Sequence, residues 1–148
     1  QQKNPEHIFK GVVNAKDLYH LTMCNPPFHA SAEEANKGSE RKWKNLGKAP
    51  SNALNFGGQS NELWCEGGEL TFISNMIKES AQFSEQVIWF TSLVSKKETL
   101  AALQTQLKQL PICDYKIVEM AQGQKVSRFI AWSYFDKTTR EQICEEFI

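Results

Sequence analysis

The residues of this chain whose types and spacing are best suited to chemistry are four consecutive ones, Asn25, Pro26, Pro27 and Phe28. A side-chain amide and a proline carbonyl are two rigidly held hydrogen-bond acceptors, and a phenylalanine ring can stack on a nucleobase for about 1–3 kcal/mol. Together the acceptors can bind both hydrogens of an exocyclic amine and orient its lone pair without a strong base. The alternative interpretation is a proline loop that only ends a strand, with Phe28 in the core.

This tetrapeptide resembles the N-P-P-[FYW] signature of S-adenosylmethionine-dependent methyltransferases that modify exocyclic amino groups. The resemblance implies an adenine N6 amine as the methyl acceptor, presented as a flipped or single-stranded base that stacks on Phe28. Asn25 would then also contact the cofactor. DNA and protein amides stay open as alternative substrates, because variants of the signature serve them too.

A basic segment follows the motif, from Lys37 to Lys48. It has a net charge of plus four within a chain whose formal net charge is zero, so the rest of the chain is acidic. Its cations, with Trp43 among them, are suited to phosphate neutralisation combined with base stacking. We predict that residues 37–64 form a substrate-facing insert, a solvated charge run being the alternative. The predicted substrate-binding residues are His29, Lys37, Arg41, Lys42, Trp43, Lys44 and Lys48.

The predicted elements place the motif at the carboxyl end of a strand, where open α/β sheets bind ligands. The order is strand, loop, helix, strand, helix, strand, strand. Strands are predicted over residues 17–24, 87–94, 115–120 and 128–135, and helices over 69–82 and from a capping box at 95–98 to residue 110. This order predicts an α/β fold with a mostly parallel sheet and a terminal antiparallel hairpin. Glu69 is expected to cap the helix in which it lies.

Length and composition indicate a single domain over residues 1–148, with a C-terminal tail at 136–148. No apolar run approaches the roughly 18 residues of a membrane span, and no secretory leader follows Gln1, so we expect a cytoplasmic protein, as a fragment or a processed product. The four cysteines, Cys24, Cys65, Cys113 and Cys144, lack metal-ligand spacing, which predicts no metal site. Two disulfides are the alternative, but three of the four lie beside or inside apolar runs, which favours buried free thiols.

Beyond the tetrapeptide, the chain resembles the bacterial 23S ribosomal RNA adenine N6-methyltransferase type F family, which is related to a eukaryotic methyltransferase acting on a spliceosomal small nuclear RNA. This implies large-subunit ribosomal RNA, or a pre-ribosomal particle, as the partner, and a class I (Rossmann-like) fold. The resemblance extends over residues 9–135 and covers only the C-terminal half of the family's methyltransferase domain. It rests on the segments 24–31, 38–42, 45–47, 54–59, 62–69 and 120–124.

The chain departs from that family in the cofactor site. It has no G-x-G turn between a predicted strand and helix, and no acidic residue positioned for the ribose hydroxyls. The first strand would also have an unpaired edge, which the missing half or another copy could cover. A non-catalytic RNA-binding fragment is therefore the second functional hypothesis.

The isolated chain is accordingly expected to be inactive, to bind S-adenosylmethionine poorly and to self-associate at the exposed strand edge. Isothermal titration calorimetry measures the affinity for S-adenosylmethionine, and sedimentation measures self-association. Tight cofactor binding by the 148-residue chain would contradict this prediction.

Overall fold

A computed structural model describes residues 1–27, 29–30, 33, 37 and 65–147 of the chain. Within these ranges, four strands form one sheet and three helices pack around it. The strands are β1 (Tyr19–Leu21), β2 (Val87–Val94), β3 (Asp114–Gln122) and β4 (Lys125–Ser133). The helices are α1 (Gly68–Ser80), which continues into a 3-10 turn (Ala81–Phe83), α2 (Lys97–Lys108) and α3 (Lys137–Glu146).

The sheet is mixed, so the predicted α/β class is confirmed but the mostly parallel sheet is wrong. The strand order is β1-β2-β4-β3, and only β1 and β2 pair in parallel. β4 pairs antiparallel with both β2 and β3. Because the hairpin folds back so that β4 lies between β2 and β3, β3 runs in the same direction as β1 and β2 but is a neighbour of neither.

The core lies between the sheet and the helices α1 and α2. β2 has the bounds predicted from its apolar run, and its Phe90 ring stacks on Trp132 of β4 at a centroid distance of 5.6 Å. Both side chains are fully buried. The Trp132 indole donates a hydrogen bond of 3.0 Å to the Ser80 hydroxyl, so its polar edge is satisfied inside the core.

The residues that lead into α2 are held by a side chain of α1, which corrects two predictions. Glu69 lies in the first turn of α1 and is buried, and its carboxylate accepts hydrogen bonds from the backbone and hydroxyl of Ser95 and from the Lys96 amide. The predicted capping box at 95–98 is not formed, because the residue that precedes the first turn of α2 is Lys96 and Ser95 lies outside the helix. Glu69 caps neither helix and instead fixes the connection between β2 and α2.

The C-terminal hairpin and tail are more ordered than predicted. Strands β3 and β4 extend to a two-residue turn at Gly123 and Gln124, where Gly123 has a φ of 63°. The second strand ends at Ser133, two residues short of the prediction. The tail contains α3, and Arg140 anchors it by an ion pair of 2.8 Å to Asp114 and by stacking 4.5 Å from the Trp89 ring.

The cysteines are free thiols, with Cys24 and Cys65 half-buried and Cys113 and Cys144 exposed. The expected burial of three of them is wrong, because none lies in the core: Cys113 precedes β3 and Cys144 lies on the exposed side of α3. In the described part of the chain no helix is long and apolar enough to cross a membrane. The same residues bring together no group of three potential metal ligands.

The amino-terminal segment is held to α1 by one carboxylate. Glu79 accepts backbone hydrogen bonds from Ile8, Phe9 and Lys10 at 2.7–3.1 Å. Burial raises the pKa of Glu79, but these three donors and the nearby His7 lower it further, so the pKa lies below its ordinary value of 4.5. Phe9 is thereby held against Phe90 in the core.

We predict that Glu79→Gln lowers the free energy of unfolding by about 1–2 kcal/mol at pH 7, since hydrogen bonds to a charged acceptor are lost. A carboxylate with a depressed pKa stabilises the fold above its ordinary pKa, and the stabilisation is lost as the pH falls through the folded-state pKa. The difference between wild type and variant should therefore shrink below about pH 4. Urea unfolding at both pH values measures it, with the exposed Glu145→Gln as the control. An equal difference at both pH values would contradict the assignment.

Candidate functional site

The N-P-P loop is attached to β2 by hydrogen bonds from the residues that precede it. Regular β1 ends at Leu21, so the predicted strand over 17–24 is too long, but pairing continues irregularly beyond it. The Thr22 amide donates to Trp89 at 2.9 Å, and the Cys24 carbonyl accepts from Leu93 at 2.9 Å. The Thr91 hydroxyl also donates to the Thr22 carbonyl at 2.5 Å. These bonds fix the chain immediately before Asn25.

The motif divides into an exposed amide and two buried rings. Pro26 and Pro27 are buried, whereas Asn25 is exposed. Neither proline has an N–H to donate to a neighbouring strand, so the two rings are held in place by their burial rather than by backbone hydrogen bonds. In the described structure, no protein group hydrogen-bonds to the Asn25 side chain or the Pro26 carbonyl. The exposed side chain of Asn25 is therefore available to a ligand, whereas Pro26 is fully buried.

A cavity of about 370 Å³ opens beside Asn25, at the carboxyl ends of β1 and β2. Its other lining residues are 93–95, at the end of β2, and 125–128, at the start of β4. Lys125 and Arg128 contribute two positive charges, and the described lining includes no carboxylate. The cavity is therefore open, and its described lining combines two cations and Asn25 with the apolar residues Leu93, Val94 and Val126.

The thiol nearest to the motif is not poised for catalysis. Burial raises the pKa of Cys24, and a hydrogen bond with Ser92 offsets this only in part. Cys24 therefore stays protonated near neutral pH and supplies no thiolate nucleophile. The amide of Asn25 does not titrate, so the groups beside the cavity suit alignment of a ligand better than proton abstraction.

The outlying predicted residues are only partly described. The His29 carbonyl accepts a hydrogen bond of 3.0 Å from the Cys65 amide, which joins the two ends of the segment between them. Lys37 pairs with Glu33 at 3.1 Å, both strongly exposed, an ion pair worth a few tenths of a kcal/mol at most. The other predicted site residues lie outside the described residues: Phe28, Arg41, Lys42, Trp43, Lys44 and Lys48.

Sequence reasoning missed Lys125 and Arg128. Both belong to the predicted hairpin, in which the sequence indicated no site residue. The register pairs Val94 with Arg128, so the amino end of β4 meets the carboxyl end of β2. The available signal was two cations close together at the start of a strand. It does not point to a site until the neighbouring strand is known, because only the pairing with β2 brings these residues near Asn25.

Comparison with known proteins identifies the class to which this fold and site belong. Residues 1–136 match the sequence profile of a family described as RNA methyltransferase. Because the match spans most of the chain, the chain belongs to this RNA methyltransferase family. The α/β fold is also that of its solved neighbours, which are class I methyltransferase domains.

Two curated relatives carry the same name. The chain is 80% identical over 146 residues to "Ribosomal RNA large subunit methyltransferase F" of Pseudoalteromonas translucida (strain TAC 125), covering 99% of this chain and 47% of that protein. It is 54% identical over 145 residues to the protein of that name from Pseudomonas entomophila (strain L48), covering 95% and 46%. The chain therefore spans about half the length of the curated relatives that it matches.

Two solved structures resemble the described fold. One is the human METTL16 catalytic domain in complex with MAT2A 3′UTR hairpin 1, with 32% identity, a TM-score of 0.66 and coverage of 84% of this chain and 42% of that one. The other is the N-terminal domain of human METTL16 in complex with SAH, with 25% identity, a TM-score of 0.53 and coverage of 82% and 35%. Both are methyltransferase domains that the chain matches over less than half of their length.

Proposed function

We propose that this chain forms the base-binding part of an S-adenosylmethionine-dependent methyltransferase that acts on the N6 amine of an adenine in large-subunit ribosomal RNA. The observation that carries the proposal is the exposed, unpaired amide of Asn25 at the wall of an open cavity that Lys125 and Arg128 also line. The names of the curated relatives support the ribosomal substrate, as naked RNA or as a pre-ribosomal particle.

The acceptors solve the chemical difficulty of an adenine amine, whose lone pair is delocalised into the ring. Asn25 Oδ1 accepts one N6 hydrogen and the Pro26 carbonyl accepts the other, so the nitrogen can pyramidalise and point its lone pair at the methyl donor. The N6–carbon bond would form as the sulfur–methyl bond of the donor breaks, leaving the thioether S-adenosylhomocysteine, and N6 would release one proton to solvent. Pro27 fixes the loop, and Phe28 provides the stacking face.

The described residues fit only part of the proposed cofactor. S-adenosylmethionine, when bound, supplies an electrophilic methyl group. Asn25 offers its reacting end a polar contact. The glycines with positive φ that the structure describes are Gly11, Gly67, Gly68 and Gly123. None of them lies in a turn between a described strand and the helix that follows it, which is where a cofactor loop lies. Residues 1–148 are thus proposed to act as one partial domain, to which other residues contribute the nucleoside site.

A non-catalytic RNA-binding function is the second candidate, and the same observation favours it. Without a cofactor loop among the described residues, the cationic cavity and the basic insert at 37–64 would still bind RNA. The two functions differ in one measurement: methyl transfer by the full-length protein supports the first, and RNA binding without transfer supports the second.

In the full-length protein, Asn25→Ala should reduce methyl transfer by about 100-fold or more, because one of two preorganised acceptors is lost, while RNA affinity stays within a few-fold. Asn25→Asp keeps an acceptor oxygen and should retain more activity than Asn25→Ala. Transfer of labelled methyl groups to a ribosomal RNA transcript measures both.

The exposed Asn75→Ala on α1 is the matched control and should leave turnover unchanged. Wild-type turnover in Asn25→Ala would overturn the catalytic assignment. Retained turnover together with lost RNA binding would instead make Asn25 a binding residue.

A separate prediction concerns the basic insert at residues 37–64. Arg41→Ala and Lys42→Ala should each weaken RNA binding and lower the slope of log affinity against log salt by about 0.7–0.9, the value for one lost phosphate contact. Lys137→Ala removes an exposed charge on α3 as the control. Fluorescence anisotropy at several salt concentrations measures the slope, and an unchanged slope in both insert variants would exclude them from the interface.

A further inference from the structure

Arg128 lines the cavity and has a side-chain nitrogen whose hydrogen-bonding capacity is unsatisfied. Its Nε is buried and has no hydrogen-bond partner, the one such side-chain nitrogen or oxygen in the described structure. A guanidinium stays protonated at every relevant pH, so this N–H has lost water without gaining an acceptor. Such a group calls for a ligand acceptor.

The arginine also leaves an available carboxylate unused. In the β3–β4 register, Glu119 lies directly opposite Arg128, so both side chains emerge on the same face of the sheet. The described structure nevertheless contains no ion pair between them, its inter-element pair being Arg140 with Asp114. Arg128 is therefore not a structural cation of the kind that Arg140 is.

The surroundings of Arg128 define the chemistry of its missing partner. Lys125 lies three residues earlier and lines the same cavity, whose described lining carries no negative charge. Arg128 supplies a planar fork of donors for an oxyanion, and Lys125, whose side chain leaves β4 on the opposite face, adds a second positive charge to the cavity lining. Asn25 lines the same cavity, so the anion would lie within one cavity length of the proposed methyl acceptor.

We propose that Arg128, assisted by Lys125, binds a phosphodiester of the RNA next to the nucleotide whose base meets Asn25. This inference rests on the proposed function. By holding the backbone at the start of β4, Arg128 acts as a positioning residue: it sets how far a flipped base can enter towards the loop at residues 25–27. The carboxylate of the cofactor is the other oxyanion that this chemistry could bind, and the experiment separates the two.

The test uses the full-length protein and a ribosomal RNA fragment that contains the methylated adenosine, mapped first with wild-type protein. Arg128→Gln should weaken RNA binding about tenfold, since a charge-assisted contact is lost, and lower the salt slope by about 0.7. Lys116→Gln, an equal charge change on β3 outside the cavity, is the matched control and should change neither. Arg128→Lys keeps the charge without the fork and should fall between wild type and Arg128→Gln.

A set of RNAs with one neutral methylphosphonate at each linkage near the target identifies the anion. One linkage should weaken binding by wild type about tenfold and leave Arg128→Gln unaffected, so that the two losses do not add. Additive losses at every linkage would overturn the proposal. A loss of cofactor affinity with unchanged RNA affinity would also overturn it, in favour of the cofactor carboxylate.

Failure of the inference is distinguishable from failure of the proposed function. If wild type methylates the RNA and Arg128→Gln binds and methylates it normally, only the role of Arg128 is refuted. If wild type transfers no methyl group, the proposed function fails first. Should Arg128→Gln not fold, the methylphosphonate series with Arg128→Lys still decides, because a specific contact predicts a smaller loss at one linkage than wild type shows.

Discussion

The site depends on the backbone pairing of Thr22 and Cys24 with β2. Pro26 and Pro27 cannot donate hydrogen bonds, so a loop built from them cannot be placed by a ladder of its own. The bonds to Trp89 and from Leu93 do this immediately upstream, where the chain still has amide and carbonyl groups to offer. The buried central strand thereby becomes the reference for the position of Asn25.

The mixed order of the sheet completes the site. Because β4 returns between β2 and β3, its amino end meets the carboxyl end of β2, and the hairpin brings its cations to the cavity beside Asn25. Glu69 fixes the same edge of the sheet, because its buried carboxylate accepts hydrogen bonds from the Ser95 and Lys96 amides just after β2. A parallel neighbour would have placed the opposite end of a strand there.

Under the proposed function, the described residues would serve the substrate rather than the cofactor. They present an acceptor for an amine and cations for a phosphate. They present no glycine loop between a strand and the helix after it. β1 lies at the edge of the sheet, with Leu21 about half exposed.

The sequence by itself determined the chemical character of the motif, the helix α1 and the bounds of β2, because these follow from residue type, apolar period and chain-breaking prolines, all of which act locally. It also predicted the hairpin. It did not determine which strand lies next to β2, that Glu69 binds the residues before α2, or that Arg128 lines the same cavity as Asn25. Those are pairings between residues 26 to more than 100 positions apart in the chain, and only the tertiary structure decides them, because strand order depends on which packing buries the whole apolar surface.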